Sequence, residues 1–305
     1  MTGATGFIGQ HLLRKLPMRG YRLRVLLRRP SATPIECASA LIGDLARPHN
    51  MSEALAEVDA VIHSAGVAQT MSGVPEDDYR LLNTEATIKL ARAAERAGVR
   101  RFVFLSSIRA QCGSTSDDVL HEALEPHPTD AYGRSKLAAE QGLAETKLDW
   151  VALRLVLVYG PGVQGNMARL AELARSPYPL PLASLKAKRS LLALDNLVDA
   201  VAKVLDAPGE LKRPFIVADP EPLTVGEMIM AMRHGLGRRG GLFPVPTPVL
   251  KAALQALGHA ETYRLFAGSL VADSSALAEV NWAPSTSTRA GLTALMQGAK
   301  ERRVA

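Results

Sequence analysis

Three glycines open the chain, in Gly3-Ala-Thr-Gly6-Phe-Ile-Gly9, and lead straight into Gln-His-Leu-Leu-Arg-Lys-Leu. Glycine permits a tight turn and a close approach of backbone to an anion, and the first turn of a helix offers free N–H groups to it. The stretch therefore points to a pyrophosphate seated at a helix N-terminus. That constrains the fold, because such a loop joins a strand to a helix in a doubly wound parallel sheet. The spacing, G-x-x-G-x-x-G, differs by one residue from the G-x-G-x-x-G form. A glycine trio alone is more often a turn than a cofactor loop, so the downstream pattern has to carry the case. One part is missing: the loop needs a strand before it, and only Met1 and Thr2 precede Gly3. In the order 3-2-1-4-5-6 that strand is central, and its loss would leave two neighbours with unpaired edges. We expect the natural start upstream of Met1. A native protein whose mass begins at Met1 would count against this.

The pattern downstream alternates strands with helices. Tyr21-Arg-Leu-Arg-Val-Leu-Leu27 reads as a second strand, with Arg28-Arg29 just past its end. The adenosine ribose of a dinucleotide lies at that point; an acidic residue there selects NAD, whereas arginine suits a 2′-phosphate, so Arg28 favours NADP(H) with NAD(H) possible. Leu41-Ile-Gly-Asp44-Leu45 reads as a short third strand ending at Asp44, a candidate adenine contact with Leu45 beside it. Ser52 caps a short helix. Asp59–His63 is a fourth strand, followed by the small residues Ser64-Ala65-Gly66, where a cofactor can pass the backbone. His63 reads as a packing residue at a strand end. Residues 76–98 form a long helix closed by Gly98, residues 101–106 a fifth strand and residues 149–158 a sixth. The expected class is α/β, a doubly wound parallel sheet with helices on both faces.

The chemistry-bearing residues follow the fifth strand. Tyr132 and Lys136 stand four apart at the head of a helical run, so they share one face. A phenol titrates near 10 and is a poor acid–base group at neutral pH; a neighbouring ammonium favours phenolate and draws its pKa down. Such a tyrosine can exchange a proton with a carbinol while a hydride moves. Ser107, 25 residues before Tyr132, can hydrogen-bond the same substrate oxygen. Alone, Tyr-x-x-x-Lys describes many surface helices; behind a nucleotide-binding half it points to catalysis. Between Ser107 and Tyr132 lies a polar, proline-containing loop.

Composition narrows the class. The 305 residues are 47% hydrophobic, enough for a large core in one or two domains. No apolar run approaches the ~20 residues of a membrane span, so membrane insertion is not expected. Two cysteines, Cys37 and Cys112, suit a reducing, cytoplasmic setting, and seven histidines without ligand spacing suggest no metal. The net charge is +6, and Arg14, Lys15, Arg19, Arg22, Arg24, Arg28 and Arg29 fall within 16 residues. Without interleaved aromatics or a nucleic-acid motif these suit a small anionic ligand better than nucleic acid.

From Gly162 the texture changes. We expect a dinucleotide domain over 1–162, partly rejoined by 188–220, and a substrate lobe over 163–305 with a helix opened by the capping box Thr224-Val-Gly-Glu227.

Gly3-x-x-Gly6-x-x-Gly9, Gly43-Asp44, the Ser107/Tyr132/Lys136 set, Tyr159-Gly-Pro-Gly162 and Asn281-Trp282-x-Pro284 occur in one order. In this the chain resembles the extended short-chain dehydrogenase/reductases, the NAD(P)-dependent epimerase/dehydratase branch, over nearly its whole length. The resemblance implies that Gly3, Gly6, Phe7, Ile8 and Gly9 bind pyrophosphate, with Arg28, Asp44, Leu45, Ala65 and Gly66 completing the cofactor site. It makes Tyr132 the acid–base catalyst, Lys136 the holder of the nicotinamide ribose and Ser107 the group polarising the carbonyl. In members acting on nucleotide-diphosphate sugars, an Asn and arginines contact the diphosphate; Asn166, Arg189 and Arg264 match those places. Ile108-Arg109 replaces the Asp-Glu pair of the sugar dehydratases, which removes the acid and base of elimination. Within this resemblance Arg28 favours a UDP-hexose or UDP-N-acetylhexose 4-ketoreductase, because an NADP(H) site fits a reductant exchanged at every turnover; a 4-epimerase, a small-ketone or hydroxysteroid dehydrogenase, and a non-catalytic NADP(H)-sensing protein are the alternatives. The resemblance also implies a homodimer.

Overall fold

The computed structural model describes residues 1–31, 37–68, 73–256 and 267–304. Among these, six strands form the main parallel array: β1 Arg24–Leu27, β2 Ala38–Leu41, β3 Ala60–His63, β4 Arg101–Ser107, β5 Asp149–Leu155 and β6 Arg213–Val217. β2 pairs with β1, while β3, β4, β5 and β6 pair in succession. Met1 and Thr2 join the two groups. The Leu26 N–H donates to Met1 O at 2.8 Å, the Thr2 N–H donates to Ile62 O at 3.0 Å, and Thr2 bridges His63 in parallel register. These two residues therefore hold the last positions of the central first strand in a doubly wound order. Beyond them a cavity of about 600 Å³ separates β1 from β3, lined by Leu23, Leu26, Ala60 and Ile62. The Met1 ammonium donates to Arg24 O at 2.7 Å at its head. Burial, aided by the Arg24 charge, lowers the pKa of this ammonium to about 5.

Both faces of the sheet are covered, because alternate residues of each central strand are apolar in opposite directions. Phe102, Phe104, Trp150 and Ala152 pack with Leu90, Ala94, Ala139 and Leu143 of the helices Ala86–Arg96 and Ala131–Ala144. Val103, Leu105, Val151 and Leu153 pack with Leu12, Leu13, Val201 and Val204 of the helices Phe7–Lys15 and Leu194–Asp206. A second core gathers Tyr159 with Met167, Leu170, Ile229, Met232 and Met296 from three helices, Gly165–Arg175, Val225–Gly235 and Thr288–Val304. Thr224 and Glu227 form the expected capping box.

Four elements differ from the sequence expectation. The third strand ends at Leu41 rather than Asp44: Gly43 takes φ +70°, and Asp44 turns the chain by accepting the Ala46 N–H at 2.9 Å. The sixth strand stops at Leu155, and Leu157–Tyr159 pairs instead with Leu191–Ala193, so the chain leaves the main sheet at Val156. The polar loop contains a short strand, Val119–Leu120, parallel to Val271–Ala272. The helix over 76–98 contains a wider turn, Arg80–Glu85, with i→i+5 character. No helix among the described residues is long and apolar enough to cross a membrane.

Candidate active site

The glycine loop lies flat because two of its positions exclude side chains. Gly3 has φ +69°, and a Cβ there would stand 2.6 Å from the backbone of Ser64 and Ala65; one on Gly9 would stand 1.9 Å from Gly3 O. Gly6 ends the loop as the N-cap of the Phe7–Lys15 helix, whose first amides are free for an anion. Beside the loop is a cleft of about 530 Å³. Gly3, Gly6, Arg28, Asp44, Leu45, Ala65 and Gly66 all line it, together with Arg29. Phe7, Ile8 and Gly9 form the helix's first turn, and Ile8 packs against the core. The side-chain-free cradle and the free amides fit a dinucleotide pyrophosphate, and the two arginines past β1 suit a further phosphate.

Gly66 connects the cleft to the reactive residues. A Cβ there would lie 2.7 Å from Asn83 Oδ1 and 3.7 Å from Lys136 Nζ. Asn83, in the wide turn, accepts the Val67 N–H at 2.8 Å and donates to Val67 O and to Ser135 Oγ, each at 3.1 Å. It ties the post-β3 loop to the helix that carries Tyr132 and Lys136. No spacing in the sequence singles it out.

Ser107 closes β4, and its Oγ accepts the Arg109 N–H at 3.2 Å. It stands within hydrogen-bonding reach of the Tyr132 phenol. Tyr132 is partly exposed, and the Tyr79 ring meets it edge-on at 6.0 Å. Lys136 is buried; its Nζ donates to Leu105 O at 3.0 Å, lies 4.5 Å from the Phe104 ring centre and 6.0 Å from that of Tyr132. Burial lowers the Lys136 pKa to about 8, against the pull of Glu140. The Tyr132 pKa is raised, chiefly by desolvation, with Asp130 and Tyr79 adding and the Ser107 hydrogen bond and Arg109 opposing. The Lys136 ammonium is occupied by Leu105 O and the Phe104 face.

Behind this group, Glu140 pairs with Arg154 at 2.7 Å and accepts from Ser106 Oγ at 2.5 Å, while Arg154 also donates to Gln111 at 2.9 Å. All four side chains are buried, which fixes the helix against β4 and β5. Ser106 is thus engaged behind the site, and Ser107 is the serine beside Tyr132.

Arg189 donates to Ser114 O at 3.2 Å, and its Nε is buried without a partner among the described residues. Burial, then the neighbouring Arg109 charge, lowers its pKa. A buried Nε–H without an acceptor is a costly arrangement that an anion would relieve. Asn166 is exposed on the first turn of its helix. Arg264 lies outside the described residues.

The model of the NAD dependent epimerase/dehydratase family matches residues 1–218. UDP-glucose 4-epimerase of Vibrio cholerae is 30% identical over 301 residues, spanning 95% of this chain and 92% of that protein. A ceramide reductase of Caulobacter vibrioides is 29% identical over 264 residues, spanning 83% and 75%. Among solved structures, MoeE5 in complex with UDP-glucose and NAD is similar with a TM-score of 0.76 and 25% identity, over 100% of this chain and 98% of that one.

Proposed function

This chain belongs to the NAD dependent epimerase/dehydratase family, and from that premise we propose that it is an NADP(H)-dependent 4-ketoreductase of a UDP-hexose or UDP-N-acetylhexose. The observation that carries the reading is Ser107 beside Tyr132, with Lys136 next to the Tyr132 ring and its Nζ reaching Gly66 on the edge of the glycine-loop cleft. When bound, the reduced nicotinamide supplies a hydride. Tyr132 then gives its proton to the sugar 4-oxygen, and Ser107 donates a hydrogen bond to the charge growing there. Lys136 holds the nicotinamide ribose. Gly3 and Gly6 leave room for the pyrophosphate, with the turn Phe7-Ile8-Gly9 presenting its amides, while Asp44, Leu45 and Ala65 border the adenosine side. Arg28 supports the 2′-phosphate, which suits a reductant exchanged at every turnover. Arg189 and Asn166 receive the diphosphate; the unused Nε of Arg189 supports this.

A 4-epimerase is the second reading, favoured by the relative from Vibrio cholerae. It would use Ser107 and Tyr132 twice, first to oxidise the carbinol and then to reduce the rotated ketone. Both readings include a homodimer.

Fluorescence titration tests cofactor and substrate together. NADPH should bind at least about tenfold more tightly than NADH, a margin of ~1.4 kcal/mol, and Arg28→Ala should erase that preference. UDP-N-acetylglucosamine should strengthen NADPH binding in the wild type and not in Arg189→Met. Purified protein that already holds NAD and shows no NADPH preference would favour the epimerase. Indifference to every UDP-sugar would remove the sugar-nucleotide reading.

A further inference from the structure

Arg109 touches both halves of the reactive group. Its backbone N–H donates to Ser107 Oγ at 3.2 Å, and its guanidinium pairs with Asp130. Its carbonyl oxygen packs so closely on the next element that a Cβ on Gly133 would stand 2.2 Å from it. Asp130 is the N-cap of the helix bearing Tyr132 and Lys136 and accepts the Gly133 N–H at 2.7 Å. Arg109 is 9% exposed. One residue thus binds the serine at the end of β4 and, by side chain and by main chain, the first turn of the tyrosine's helix.

We propose that Arg109, through its pair with Asp130, is a positioning residue for proton transfer at Tyr132: it clips the Ser107 turn to the Tyr132 helix and, with Asp130, sets the charge that the phenol faces. The proposal rests on the reading of Tyr132 as the acid–base group.

The surroundings support both parts. A clip matters because a misplacement of about 1 Å at a reacting centre can cost a hundredfold in rate. Around the phenol stand Asp130 and Arg109, with Tyr79 edge-on and Lys136 one helical turn away. Cys112 and Arg189 also feel the Arg109 charge. Glu140 is engaged by Arg154 and Ser106, and Arg134 pairs with Glu76 at 2.6 Å. Arg109 and Asp130 act on the phenol with opposite sign, the cation favouring phenolate and the carboxylate opposing it.

Opposite signs give the test. In the NADP⁺-bound full chain with ¹³C at tyrosine Cζ, the Tyr132 resonance is assigned by its loss in Tyr132→Phe. Arg109→Met should make Tyr132 titrate at higher pH than in wild type, and Asp130→Asn at lower pH. The double variant should return toward wild type. Arg109→Lys, which keeps the charge, should stay nearest to wild type and serves if Arg109→Met does not fold. A titration unchanged in both single variants, or moved the same way in both, would mean a packing role only and would overturn the proposal. This readout needs no sugar. The expected pattern in a protein that turns over no UDP-sugar would support the clip and defeat the sugar-nucleotide reading.

Discussion

At the scale of the residue, burial decides which groups hold a proton. His63 is fully buried, hydrogen-bonded to Thr2 Oγ1 at 2.7 Å and to Thr87 Oγ1 at 2.9 Å. Desolvation, with the Lys136 charge behind it, lowers its pKa to about 3. The unfolded chain therefore binds a proton that the folded chain refuses between pH 6.5 and about 3, and stability is lost as pH falls through that window. By pH 5 the loss from this group is about 2 kcal/mol. Thermal melts from pH 7.5 to 5 should show a steeper decline for wild type than for His63→Gln; parallel declines would mean that His63 takes no part. Tyr132→Phe should lower turnover about a thousandfold while dinucleotide affinity stays within about twofold, as expected when only the general acid is removed. Much of this residue scale is legible in the sequence, because Gly3, Gly6 and Gly9, and Tyr132 and Lys136, act over short, regular spacings. Asn83, Arg109 and Asp130 are not legible. Their partners lie 16 to 52 residues away for Asn83 and 21 apart for the ion pair, so nothing local marks them.

At the scale of the element, a few buried polar contacts hold the sheet and helices in register. Arg101, at 0% exposure, pairs with Asp149 at 2.5 Å and donates to the carbonyl oxygens of Val204, Ala207 and Gly209 at 2.5–2.8 Å. It closes the end of the Leu194–Asp206 helix and ties it to β4 and β5. Arg101→Met strands the Asp149 carboxylate and should cost about 3–5 kcal/mol in urea unfolding; a cost under about 1 kcal/mol would show the carboxylate finding water instead. The alternation of elements was readable from periodicity, whereas strand ends were not: Gly43 and the departure at Val156 are settled by pairing with distant strands.

At the scale of the whole molecule, the strand order places the glycine loop, the post-β3 loop and Ser107 along one side of the sheet, and the helix Ala131–Ala144 brings Tyr132 and Lys136 to them. Arg189 reaches the loop after Ser107 from the segment that also pairs with Leu223–Thr224, at the edge of the second core. The fold and family follow from this arrangement; the direction of hydride transfer is the proposal. NADPH carrying deuterium at the nicotinamide C4 tests it most directly, incubated with a UDP-4-keto-hexose and followed by mass spectrometry. Stoichiometric NADP⁺ and one deuterium at C4 of the UDP-sugar are expected, both lost in Tyr132→Phe. Interconversion of 4-epimers with no net consumption of NADPH and no deuterium in the product would contradict it.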